Sequence, residues 1–404
     1  MNPDRSFPQP AFVPPSEIEN RIKRFQELMI REDLEGVLLA QNADLFYFSG
    51  TMQPGWLYIP AEGDPVYFIR RNLERAQEES PLTQMQPFRS LKEIPALLRE
   101  AGLSAPRLLG VEGDVLPAQL YLQVESFFKT SRLRDASLLI RKCRMLKSAW
   151  EIENIRQAGE ILKEMIREVP SFLKPGLSEL ELAAAVEASL RRKGHQGLIR
   201  SRGFNQEMFY GHILSGPEGA QPSYLDSPSG GRGLGPAFGQ GVGQKILRPG
   251  EPISIDYVGC FNGYHADQTR MFSLGPPPEP VIKAYQAARD IQETLVLRAQ
   301  PGILCSQLYF WAEEESIKLG YGPFFMGHKA HKVSYVGHGV GLEVDELPVV
   351  GPKFDWPLEA GMVLALEPKM ILPEFGMVGI ENTFHITENG LEPLTTGGEA
   401  FQVL

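Results

Sequence analysis

Residues 252–275 read PISIDYVGCFNGYHADQTRMFSLG. Ile253, Ile255 and Tyr257 alternate with small or polar residues, which is the period of a strand. Asn262-Gly263 is the preferred pair for a two-residue hairpin turn. With Phe261 opposite Tyr264, Asp256 falls opposite Thr269 and Asp267 opposite Val258. The two aspartates then share one face of the hairpin as a diagonal pair, about 7 Å apart at Cα. Two carboxylates on one face of a buried hairpin repel each other, and both stay ionised only with a cation between them. The stretch therefore predicts an antiparallel sheet that carries half of a metal site.

The other half is expected further along. GMVLALEPKM (361–370) brings a strand to its end at Glu367, and MVGIENTFHIT (377–387) places Val378, Ile380, Phe384 and Ile386 on one face and Glu381 on the other. VGHGVGLEVDELPVVG (336–351) sets His338 in a glycine-rich run, with Asp345 seven residues on. Segments 173–194 and 299–320 share a layout of Pro-Gly break, serine, apolar-periodic helix and closing glycine. Ser178 with Glu181 forms a capping box at the first of these helices. A long helix precedes each copy and a strand-rich region comes after it. Two such halves imply a pseudo-twofold α+β domain, in which Glu367 and Glu381 approach Asp256 and Asp267. Four carboxylates and one imidazole make a hard, oxygen-rich set suited to two divalent ions, Mn²⁺ first, with Fe²⁺, Co²⁺ or Zn²⁺ also matching the donors.

The bulk properties narrow the class. A chain of 404 residues exceeds one ordinary core and predicts at least two domains. A net charge of −10 argues against nucleic acid or an anionic membrane as the main partner. Three scattered cysteines, Cys143, Cys260 and Cys305, form no CxxC pair, which fits a reducing compartment rather than a disulfide scaffold. No apolar leader and no 18-residue apolar run is present, so the expected location is the cytoplasm. Residues 1–15 are Pro-rich and read as an N-terminal arm. From 16 to 140, helical spacing at Ile18, Ile22, Phe25 and Leu28 and the short apolar runs GVLLA, PVYFI and RLLGVE predict an α/β domain. Ile152, Ile155, Ala158, Leu162 and Met165 mark the long helix that opens the second domain, 145–404.

DYVGCFNGYHADQTRMF, GHGVGLEVDELP, LALEPKM and GIENTFHIT together resemble the superfamily of aminopeptidase P, prolidase, methionine aminopeptidase and creatinase. LKSAWEIENIRQA and NADLFYFSG are similar to its domain junction and to its creatinase-type N-terminal domain. The resemblance implies a C-terminal pita-bread domain behind a creatinase-like α/β domain. It implies a dinuclear site in which Asp256 binds one metal, Asp267 and Glu381 bridge both, and His338 and Glu367 complete the other. It also implies attack of a metal-activated water on an amide carbonyl, with Glu367 as the proton acceptor, and a homodimer.

The chain departs from that pattern around the substrate. The peptidases keep a histidine where this sequence has Ser223, a second where it has Ser334 and a third where it has Asp345, and they keep an arginine where it has Gly379. Losing one oxyanion donor costs on the order of 10²-fold or more in kcat. His212 and His331, with His328, are the nearby replacements in sequence, and Arg200, Arg202 and Arg232 the nearby positive charges. The catalytic set expected is Glu367, Asp345 and His212, with Ser223, Ser334 and His331 contacting substrate. The leading function is metal-dependent hydrolysis of a C–N bond in a small peptide or small amide, Xaa-Pro dipeptidase- or aminopeptidase-like. A lyase or small-molecule amidohydrolase on the same metal site, and a scaffold that has lost catalysis, are the alternatives.

Overall fold

The computed structural model describes residues 11–222 and 224–404. Most of the arm expected at 1–15, and Ser223, lie outside the described residues. The chain divides into two compact units: one runs to Arg144 and takes in Arg202–Gln206, and the other comprises Met145–Ser201 and Glu207–Leu404.

The first unit is a six-stranded mixed sheet with helices. The run GVLLA becomes the strand Gly36–Leu39, buried at every position. It pairs antiparallel with Gly55–Pro60 and parallel with Leu108–Val111. A strand buried on both faces has no polar alternation to display, which is why the run is continuously apolar. The helix Pro15–Arg31 buries Ile18, Ile22, Phe25 and Met29, the spacing of one helical face.

The second unit is built on a nine-stranded sheet. Its centre is the hairpin Ile253–Phe261 and Tyr264–Ser273, with Asp256 opposite Thr269 and Val258 opposite Asp267. Asn262 and Gly263 have φ of 49° and 84°, the conformation a two-residue turn of this type demands. The long helix Ala149–Phe172 buries its Ile152, Ile155, Ala158, Leu162 and Met165 stripe. It starts one turn after a separate helix, Ser137–Met145, because Ser148 and Glu151 close a capping box there. A second long helix, Glu279–Arg298, and the two shorter helices Glu179–Arg192 and Cys305–Lys318 complete the repeated layout. The Ser178–Glu181 capping box is present in the first copy. In the second copy Ser306 instead donates to Asp355, at 2.5 Å.

One expected strand is divided. The segment read as continuous through Val378–Ile386 breaks at Ile380. Glu381–Thr387 stays in the main sheet, paired with Val363–Leu366, whereas Gly376–Gly379 pairs with Lys369–Leu372 in a separate two-stranded ribbon. The cause lies at Glu367-Pro368. Proline has no N–H to continue the ladder, so the chain leaves the sheet there and takes its partner with it.

His195 reports on the packing behind the hairpin. Its Nε2 donates to the Val258 carbonyl at 3.0 Å, and its Nδ1 accepts from the Gly197 N–H at 2.9 Å. Burial pushes the imidazole from the ordinary 6.5 down to about 4, against the opposing effect of the Val258 hydrogen bond. The folded state therefore takes up this proton later than the unfolded state as pH falls. The stability it contributes is whole above 6.5 and is lost as pH drops toward 4, by about 2 kcal/mol at pH 5. Urea unfolding at pH 7 and pH 5 should show a His195→Gln variant losing about 2 kcal/mol less than the natural chain. Identical losses would contradict this assignment.

Candidate metal centre

The register of the second sheet assembles the site. Across neighbouring strands, His212 pairs with Asp256, Asp256 with Thr269, and Thr269 with Glu381. In the adjacent row His338 pairs with Ala365 and Ala365 with Thr383. Thr383 meets the next strand through its hydroxyl, which donates to the Asp267 carbonyl at 3.0 Å and accepts the Asp267 N–H at 2.8 Å. Directly opposed residues in a sheet point to the same face, so these two rows turn their acids and imidazoles to one side.

His338 occupies a three-residue strand, Gly337–Gly339, with a register shift after it. A Cβ at Gly337 would lie 2.4 Å from the Ala365 carbonyl, and one at Gly339 2.2 Å from the Leu347 carbonyl. Glycine on both sides of the histidine thus lets this short strand lie close between its neighbours, and the bulge re-aims the residues beyond it. His338 Nε2 lies 3.5 Å from Glu367 Oε1 and 3.9 Å from Glu381 Oε1. Its Nδ1 lies 3.6 Å from Asp345 Oδ1 and 3.2 Å from the Gly339 carbonyl. Asp345 is 55 % exposed, on a loop held by Glu346, which accepts from the buried Lys147 at 3.1 Å. Asp345 thus stands behind the imidazole, where a carboxylate favours the tautomer that leaves Nε2 for a metal.

One residue that sequence reasoning missed dominates the electrostatics. Lys369 is 5 % exposed, and its Nζ lies 2.7 Å from Glu367 Oε2, 2.9 Å from Asp256 Oδ2 and 3.3 Å from Glu381 Oε2. The signal was present: Lys369 comes two residues after Glu367, the spacing that keeps two side chains on one face of an extended segment. Burial disfavours the ammonium, yet Asp256, Glu367 and Glu381 outweigh it and raise its pKa well above the lysine value. Burial likewise raises the Asp256 carboxyl, but Lys369 and His212, whose Nε2 is 3.4 Å away, bring it below the aspartate value.

Glu381 and Asp267 behave in the opposite way. Burial, then the charges of Glu367 and Asp256, push Glu381 up to about 7 against the pull of Lys369. Burial and the neighbouring Glu381 and Asp256 push Asp267 well above the aspartate range. For His338, burial favours the neutral ring, but Asp345, Glu367 and Glu381 raise its pKa. The corner of Asp267, His338 and Glu381 is short of positive charge even with Lys369 in place. One donor atom from each of these three lies within 4.8 Å of the others, the reach of a single divalent ion.

The remaining expected residues divide. His212 stands beside Asp256 in the site. Ser334 and His331 are exposed, on the loop and short 3₁₀ turn ahead of His338. His328 stacks on Phe324, with centroids 5.4 Å apart. Arg202, read as one source of positive charge, is engaged in the first unit by Asp44 at 2.8 Å and Asp114 at 2.6 Å. Tyr335 was not anticipated. Its hydroxyl donates to the Asp226 carbonyl at 2.8 Å, and burial together with the charges of Glu367 and Asp345 holds its pKa far above the tyrosine value.

Known proteins resemble this chain in sequence and in fold. Residues 153–388 match metallopeptidase family M24, and residues 21–146 match the creatinase/prolidase N-terminal domain. An Xaa-Pro dipeptidase of Pyrococcus furiosus is 30 % identical over 383 residues, covering 94 % of this chain and 98 % of that one. The solved prolidase of Pyrococcus horikoshii superposes with a TM-score of 0.78 at 27 % identity, covering 94 % of this chain and 98 % of that one. The solved prolidase of Pyrococcus furiosus gives 0.75 at 28 %, covering 92 % and 99 %. With an acid-rich centre on a pita-bread sheet and matches that run through both units, the chain belongs to metallopeptidase family M24 and carries a creatinase/prolidase N-terminal domain.

Proposed function

We propose that this protein is a divalent-metal-dependent peptidase that cleaves the C–N bond of a small peptide of the Xaa-Pro class or of a related small amide. The observation that carries the reading is the Asp267–His338–Glu381 corner in a member of a metallopeptidase family. Relatives described as Xaa-Pro dipeptidases support the substrate class. The lyase and the scaffold readings are not favoured, since the relatives are peptidases and a corner suited to an ion is retained.

Asp267, His338 and Glu381 would hold the ion, and an oxygen-rich set with one imidazole suits Mn²⁺, with Fe²⁺, Co²⁺ and Zn²⁺ as competitors. Bound there, a divalent cation polarises an amide carbonyl and makes water a better nucleophile at neutral pH. Glu367, whose Oε1 faces His338 and whose Oε2 faces Lys369, would accept the proton of the attacking water. Asp345 orients His338 and, being half exposed, offers its second oxygen to a substrate amine. His212 can donate a hydrogen bond near Asp256. Ser223, Ser334 and His331 are the proposed substrate contacts, in place of imidazoles that hold a developing oxyanion. A homodimer in the cytoplasm belongs to the same reading. Three free, buried cysteines suit the reducing compartment of that reading.

After removal of metal by chelation, hydrolysis of a dipeptide and small-amide panel should return on addition of Mn²⁺. It should fall by more than about 10²-fold in Glu381→Gln. No metal-dependent cleavage of any panel member would contradict the peptidase reading. Within the panel, Ala-Pro and Leu-Pro should be cleaved at least about 10²-fold less efficiently than the best substrate, because the usual donors are missing. Efficient turnover of both would contradict the altered substrate shell.

A further inference from the structure

A second metal ion at Asp256 and Glu367 would share those carboxylates with Lys369, which holds one oxygen of each. Its ammonium has three N–H donors, and three carboxylates from separate segments surround it, Asp256, Glu367 and Glu381. A divalent ion binds carboxylate oxygen at about 2.0–2.2 Å. An ion bound at such lengths by the two oxygens that face Lys369 would stand close to Nζ, cation against cation, in a buried corner. The donor set therefore does not fit an ion at Asp256 and Glu367 while Lys369 is in place.

The lysine's position is built into the fold. Lys369 pairs across the two-stranded ribbon with Gly379. A Cβ at Gly379 would lie 2.6 Å from Lys369 Cγ and 2.9 Å from the Pro368 carbonyl. A side chain at 379, arginine included, would displace the lysine stem. The bare glycine and the long cation are thus a matched pair, and the stem crosses the space that the glycine leaves. Glu381 joins the two charged corners. Its Oε2 accepts from Thr269 at 2.8 Å and faces Lys369, while its Oε1 turns to His338.

We propose that Lys369 is a built-in cation in place of one metal ion, so that the centre is mononuclear, with the ion held by Asp267, His338 and Glu381 and with Glu381 shared between ion and ammonium. This rests on the reading of the protein as metal-dependent, and it departs from the sequence-based expectation of two ions on five ligands. Asp256 and Glu367 become the carboxylates that seat the lysine, and Lys369 a positioning residue for both.

The test is metal stoichiometry of the full chain. The protein is stripped with chelator, loaded with Mn²⁺ and desalted, and its manganese is measured by elemental analysis and by electron paramagnetic resonance. The natural chain should hold one Mn²⁺ per chain with an uncoupled signal. Asp256→Asn should keep that ion and Asp267→Asn should lose it. Lys369→Ala should gain a second ion and a spin-coupled signal, with circular dichroism verifying the fold. Lys369→Met, which keeps the stem beside Gly379, is the companion variant if the alanine variant unfolds, and it should also lose the exclusion of the second ion. Two ions in the natural chain, or a folded Lys369→Ala and Lys369→Met that both stay at one, would overturn the proposal and leave the peptidase reading standing. No bound ion at all would overturn both.

Discussion

Carboxylates packed on one face of a buried sheet set the terms for this protein. Strand register brings Asp256, Asp267 and Glu381 together, Glu367 joins them from the end of Val363–Leu366, and in a low-dielectric corner their mutual repulsion is expensive. Such a cluster is tolerated only with cations or bound protons among its members. The chain supplies one cation of its own, Lys369, and under the proposal Asp267, His338 and Glu381 take up the other. The sheet holds the acids in place and the acids decide what the site can bind, so a one-residue slip in register would turn them to the opposite face and abolish the centre.

The same logic links local sequence to the site at several points. The Asn262-Gly263 turn sets the register of the central hairpin and hence the positions of Asp256 and Asp267. Glycines on either side of His338 allow its strand to approach closely. Pro368 ends the ladder and starts the ribbon that carries Lys369 back over Gly379. Asp345, which stands where peptidase relatives were expected to keep a histidine, lies behind His338 rather than in front of it. Its effect on the site runs through the imidazole as much as through any substrate group.

Much of the fold was legible from periodicity. The buried runs of the first unit, the apolar stripe of Ala149–Phe172, the Ser178 cap and the hairpin register all come from local rules. The features that were not legible depended on contacts between distant segments. Nothing local says that MVGIENTFHIT divides between two sheets, because both parts keep strand periodicity. Lys369 is not legible as a site residue because a lysine beside a proline near a strand end ordinarily faces water. Only the packing of the ribbon over the sheet turns it inward. Arg202 looked like available positive charge in sequence, but Asp44 and Asp114, far away along the chain, engage it.

Under the proposal, one fixed ammonium and one divalent ion share this carboxylate cluster. Anomalous diffraction from crystals grown with excess Mn²⁺ tests it most directly. A single manganese peak between Asp267, His338 and Glu381 is expected, with Lys369 Nζ still bound to Asp256 and Glu367. Two manganese peaks, with Lys369 swung out of the cluster, would contradict it.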